Sequence, residues 1–271
     1  MSAKKGVAFL LVASLGLISF SVVAATNSAD RVEKWSQLPD WTGLWEMNMG
    51  GGPPGGGAGP EAGESAGPVV PGPRESWSLT PQKKADYQAL QAELARMEGT
   101  EQMPDTTVTE CTWGFPRVLS GPYMFEVTVT PELTFFNYDI REFRHIWTDG
   151  RDHPKKVTAS SSGHSVGRWE GDTLVVDTVG VQAGLWITGQ GMTLSDQASF
   201  KERWRVADDG LLHAEVTITD PLSFTKPYVL SRSFKRVTDF NRMIQQNCFE
   251  NVHEVQVGDK VMTKFSIPAT D

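Results

Sequence analysis

Between residues 124 and 236 apolar and polar side chains alternate with a period of two, in short segments separated by turn residues. Phe125, Val127 and Val129 alternate with Met124, Glu126 and Thr128 ahead of Pro131. Segments at 133–140 and 143–148 follow, the second closed by Asp149-Gly150. Phe200, Glu202, Trp204 and Val206 alternate with charged neighbours, Asp208-Asp209-Gly210 turns the chain, and Leu212, Ala214, Val216 and Ile218 return. Further strands are expected at 228–236, at 243–249 and in a last pair turning at Gly258-Asp259. A chain patterned this way cannot build helices over most of its length. It must close a sheet or stack two, which predicts a mainly β, antiparallel barrel or sandwich.

The most strongly patterned piece is Gly163-His164-Ser165-Val166-Gly167-Arg168-Trp169-Glu170-Gly171-Asp172-Thr173-Leu174-Val175-Val176-Asp177-Thr178-Val179-Gly180. It reads as a hairpin whose turn, Glu170-Gly171-Asp172, tolerates positive φ. Its start matches G-x-S-x-G, the nucleophile elbow, which needs a strand turning sharply into a helix. Here a second strand follows, so the hydrolase reading of Ser165 fails on context.

Ahead of the β region, Lys4 and Lys5 precede an uncharged apolar run, and Val23-Ala24-Ala25 offers small residues for cleavage. Residues 1–25 therefore read as a signal peptide, and an exported, periplasmic or secreted protein is expected. Removing them takes away two lysines and no acid, so the net charge moves from −8 to −10. An acidic chain without a basic cluster is a poor partner for nucleic acid or anionic lipid. No later segment approaches the length of a membrane helix. Residues 26–49 hold a first strand around Trp45, and residues 50–73 are mostly glycine and proline, a flexible excursion. Residues 74–271 complete a single domain. One helix is expected, opening at Thr80-Pro81 and carrying Tyr87, Leu90, Leu94 and Met97 as an apolar stripe to lie against the outside of the barrel.

Gly43-Leu44-Trp45 resembles the G-x-W signature that opens lipocalin-like (calycin) barrels. The resemblance implies that the tryptophan plugs a closed end and that a late arginine, Arg232 or Arg236, packs over the indole. A wider set of motifs runs from Asp149-Gly150-Arg151-x-His153-Pro154, through the hairpin, to Glu202-Arg203, Asp220-Pro221 and Cys248-Phe249-Glu250-Asn251. It is similar to that of a family of exported bacterial β-rich proteins. That similarity implies export and a β-rich fold and carries no activity over.

The two cysteines, Cys111 and Cys248, are expected to form a disulfide, because thiols in an oxidising compartment pair. Three of the histidines, His145, His153 and His164, fall in the motif region. Phe143, His145 and Trp147 share one strand face and are expected to point into an aromatic-lined interior. Asp177 and Glu202 stand among apolar neighbours, where a carboxylate must pair with a cation or have its pKa raised by desolvation. Arg144, Arg151, Arg168 and Arg203 are the available cations. No short histidine spacing of the kind that forces ligands to converge is present, so no metal is expected. No glycine-rich phosphate loop stands at a strand–helix junction, so no nucleotide cofactor is expected either.

These features point to an enzyme without a cofactor, a lyase, an isomerase or a hydrolytic enzyme. It would act by acid–base chemistry on an apolar or aromatic small molecule in a barrel cavity. His145, His164, Asp177 and Glu202 are the candidate catalytic residues, and Phe143, Trp147 and Arg151 the candidate binding residues. The alternative is a binding or carrier protein with the same cavity and no chemistry.

Overall fold

The structure is a computed structural model. It describes residues 28–48, 77–97, 105, 112–238 and 242–245, with the backbone alone of 252–257 and 260–265. The proposed leader (1–25), the glycine/proline stretch (50–73) and both Cys111 and Cys248 lie outside the described residues.

Nine strands close into a barrel in chain order, with the first paired to the last. They are β1 (Gly43–Met47), β2 (Met124–Val129), β3 (Leu133–Tyr138), β4 (Phe143–Trp147), β5 (His164–Glu170), β6 (Thr173–Val179), β7 (Ser199–Val206), β8 (Leu212–Thr219) and β9 (Tyr228–Arg236). Closure leaves no sheet edge to be covered. The expected final pair forms its own two-stranded sheet, β10 (Val252–Val257) and β11 (Lys260–Phe265). Of the strand expected at 243–249, residues 243–245 carry none and the rest lies outside the described residues.

The barrel is antiparallel with one exception. Directions can alternate all the way round a ring only if the strand count is even, and nine is odd. The mismatch falls between β4 and β5, which pair in parallel through Ile146↔Ser165 and Trp147↔Val166. Parallel neighbours need a long crossover, and residues 148–163 supply it. This crossover bears Arg151, His153 and Ser160–Ser162, and returns at Gly163 with φ of 66°. A Cβ at Gly163 would stand 2.7 Å from the Val179 carbonyl, so glycine is required there.

Among the described residues two α-helices accompany the barrel: α1 (Ser28–Ser36) and α2 (Pro81–Met97). The second is the expected one, with the Thr80 hydroxyl accepting from the Lys83 amide at 3.2 Å as a cap. Its Tyr87 ring meets Trp77 edge-on at 5.6 Å. The first was not anticipated; none of its residues is buried. No described helix is long and apolar enough to cross a membrane.

Inside the barrel, Trp45, Phe125, Phe136, Tyr138, Phe200, Trp204 and Phe234 are all buried and in aromatic contact with one another or with the aliphatic wall. Of the two late arginines, Arg236 covers the Trp45 indole, its guanidinium carbon 4.5 Å from the ring centroid. It also donates to the carbonyls of Asp40 and Thr42. Arg232 points inward to the Ser120 hydroxyl at 3.0 Å.

Candidate functional site

Along β4 the burial pattern is the reverse of the expected one. Arg144 and Ile146 face inward, while Phe143, His145 and Trp147 face out. The aromatic face is the more apolar, but an inward arginine is stable when an acid on a distant strand completes it. Glu202 on β7 does so: Arg144 Nη1 donates to Oε2 at 2.8 Å, and Nη2 donates to Oε1. The Ser165 hydroxyl and Thr178 Oγ1 accept from Arg144 Nη2 at 2.9 and 2.7 Å. Thr178 Oγ1 and Trp204 Nε1 each donate to Glu202 at 2.9 Å. Phe115 closes the cluster, its ring centroid 3.9 Å from the Arg144 guanidinium carbon. The sequence expectation of a buried carboxylate at Glu202 is therefore met, as a fully hydrogen-bonded ion pair. Ser165 is held in this cluster, 1 % exposed, and cannot act as an elbow nucleophile.

Asp177 was expected beside Glu202, and the structure puts it on the other side of the wall. On β6 the inward residues are Leu174, Val176 and Thr178, so Asp177 lies outside with Val175 and Val179. There it accepts from Lys201 Nζ at 3.1 Å on Oδ2, while Oδ1 lies 3.3 Å from His153 Nε2. The other ring nitrogen of His153, Nδ1, stands 2.8 Å from Nδ1 of His164. The crossover has carried His153 back over the hairpin to bridge its two strands.

One arrangement of neutral tautomers satisfies the line Asp177–His153–His164. A neutral His153 that donates Nε2–H to the carboxylate presents Nδ1 as an acceptor. His164 must then donate from Nδ1, which leaves its Nε2 a bare lone pair. Burial pushes the His164 pKa below the ordinary imidazole value, Arg151 pushes it the same way, and so does His153 whenever both of its ring nitrogens are protonated. His164 is therefore neutral at pH 7, and in this arrangement of tautomers Nε2 is the nitrogen that takes a proton.

His164 lines a surface cleft of about 580 Å³ between the outer face of β4 and the returning crossover. Phe143, His145 and Trp147 form one wall and Ser160, Ser161 and Ser162 the other. Glu142 ties the floor together, accepting from the amides of Trp113 and Gly114 at 3.1 and 3.2 Å and from the Ser161 hydroxyl at 3.2 Å. Arg151 stacks on Trp147, its guanidinium carbon 3.8 Å from the ring centroid, and is held by a forked pair with Asp149.

The structure thus brings together His145, His164, Phe143 and Trp147, with Arg151 and Asp177 beside them, and excludes Glu202. It adds His153, which sequence reasoning counted among the motif histidines without giving it a role. The available signal was its place in the crossover motif, next to Pro154. Among the described residues no three His, Cys, Asp or Glu side chains converge as ligands to a metal. No protein-family model matches the chain, and no curated protein matches it either, so geometry carries the functional reading.

Proposed function

We propose that the protein is an exported enzyme that moves a proton on a ring-bearing small molecule held in the outer cleft, with His164 as general base. The observation that carries this reading is the Asp177–His153–His164 line, which ends at an imidazole that lines the cleft and bonds to His153 through Nδ1. A base poised near the working pH is the efficient one, and removing it costs about 10²–10⁴ in rate.

His164 Nε2 takes the proton from the substrate. The imidazolium that results keeps its Nδ1–H bond to His153, and passing that proton on would leave the positive charge on His153 against Asp177. Returning the proton to a different substrate atom gives isomerisation; losing a leaving group gives elimination. Neither step needs an electron acceptor. Phe143, His145 and Trp147 offer the ring its apolar contact, and the serine wall offers hydroxyls to its polar edge.

The test is deuterium exchange. A panel of cyclic hydroxylated and aromatic compounds would be incubated with the protein in D₂O and followed by NMR. Exchange at a specific carbon, lost in His164→Ala at an unchanged melting temperature, is the expected result. Binding without exchange in any compound would instead make the protein a carrier.

A further inference from the structure

The two walls of the cleft differ in chemistry, and the difference identifies a ligand class. One wall is aromatic, and it does not stop at the cleft. Phe135 on the neighbouring strand continues it, 4.8 Å from the His145 ring and 6.4 Å from Phe143. His145 and Trp147 lie nearly parallel, 17° apart, with centroids separated by 6.0 Å. Phe143 is 53 % exposed, which is unusual for a phenylalanine inside a contiguous aromatic strip and marks a contact surface. The rest of the lining carries hydroxyls, Ser160, Ser161 and Ser162, of which the first two donate to the Gly163 carbonyl and to Glu142 and keep their lone pairs for a ligand.

An aromatic ligand sandwiched in a slot needs apolar surface on both sides. A pyranose has one C–H face that stacks on a ring and a rim of hydroxyls that need hydrogen-bonding partners, since an unpaired polar group costs affinity. The cleft offers one of each. Its formal charges cancel, with Arg141 beside Glu142, and Arg151 at the far end is already engaged by Asp149. Nothing there calls for an anion. From Phe143 to Trp147 the strip runs roughly 13 Å at ~3.3 Å per residue, longer than a single six-membered ring.

We infer that the cleft and its aromatic extension bind a neutral oligosaccharide, the sugar faces stacked on Phe143 and His145 and packed against Trp147, one side of whose ring Arg151 covers, with the hydroxyls turned to Ser160–Ser162. This inference rests on the outer cleft being the substrate site, and it narrows the substrate class of that site.

The experiment is calorimetric titration of the protein with neutral glucose, xylose and N-acetylglucosamine oligomers of increasing length, alongside a uronic-acid oligomer and 2-naphthol. Affinity for a neutral oligomer should rise with chain length. Trp147→Ala and Phe143→Ala should each weaken it about two- to tenfold, as the loss of one stacking ring does. Both positions face outward, so melting temperature should not move; if one variant does unfold, Trp147→Leu, which keeps bulk without a flat π face, gives the same reading. Absence of binding by every neutral oligomer would overturn the inference, as would equal affinity in the ring variants or tighter binding of naphthol or the uronate. Deuterium exchange measured on the same mixtures separates the two claims. Sugar bound without exchange leaves this inference standing and removes the base. Exchange on naphthol with no sugar bound does the reverse.

Discussion

The two faces of β4, β5 and β6 carry polar residues that are immediate neighbours in the chain and opposites in chemistry. Arg144, Ser165 and Thr178 point in, and next to them His145, His164 and Asp177 point out. The inner set is buried and saturated: with Glu202 it forms a network in which hydroxyls, carboxylate and guanidinium bond to one another. The outer set is partly wet, with His153 and Asp177 side chains 23 % and 39 % exposed, and it ends at the His164 ring in the cleft. Burial and charge alone would nominate the inner cluster as the active site. What separates the two is spare bonding capacity at a place a substrate can reach, and only the outer cluster has it.

That contrast can be broken by mutation from either side. The largest expected effect is on turnover. His164→Ala should lower the rate of the proton-transfer reaction about 10²–10⁴-fold, with the denaturation midpoint unchanged. A rate that survives would strip the outer cluster of its role.

The inner cluster should respond in stability. Arg144→Met leaves a carboxylate buried without its cation, which costs about 3–5 kcal/mol, read by urea denaturation. The double variant Arg144→Met/Glu202→Leu should recover part of that loss, because Ser165 and Thr178 can bond to each other while the Trp204 indole N–H is left without its acceptor. Equal losses in the single and double variants would mean that the pair itself, and not the orphaned charge, holds the barrel together. Activity per folded molecule should be preserved in both.

A smaller effect is expected at Asp177. A hydrogen bond to a charged partner contributes about 1.5–3 kcal/mol, and the half-exposed position of this one favours the low end. Asp177→Asn should therefore slow turnover about tenfold while ligand affinity stays constant. Lys201→Ala removes the competing cation on the same carboxylate and should not slow the reaction; a comparable loss there would show that the strand pairing, rather than the histidine line, was being read.

Much of the barrel could be read from the chain, because alternation is a local signal. The hairpin turn at Gly171, with φ of 65°, and the Thr80 cap of α2 are local too. The inward face was not always legible. On β4 the outward trio of Phe143, His145 and Trp147 is more apolar than Arg144 and Ile146, so hydrophobicity selects the wrong side. The choice is made by Glu202, 58 residues away, and no window along the chain contains both. On β6 both faces are apolar, since Leu174 and Val176 alternate with Val175 and Val179, and alternation alone cannot assign Asp177. The parallel seam was invisible for a related reason. It follows from the number of strands in the closed ring, a property of the whole fold, and it is this seam that requires the crossover bringing His153 to His164.

The finest test of the outer cluster is electrostatic. The His164 pKa is held below its ordinary value first by burial, then by positive charge on His153 when it is protonated and on Arg151. A base works only when unprotonated, so activity should persist below the ordinary imidazole range and fall as pH drops through the depressed pKa. Removing a positive charge makes protonation easier. Arg151→Gln should therefore move the acid limb of the rate profile to higher pH. Asp149 partly neutralises Arg151, and the pair holds the Asp149 carboxyl below the usual range. Asp149→Asn should thus free the arginine's field and move the same limb to lower pH. Arg151 also stacks on Trp147, so either variant could disturb the cleft, but a packing change would not shift the limb in opposite directions. Added salt gives a third reading, because it screens exposed charges; it should shrink the Arg151→Gln difference while leaving the burial contribution in place. Two shifts of the same sign would mean that the arginine acts on His164 through the shape of the cleft and not through its charge.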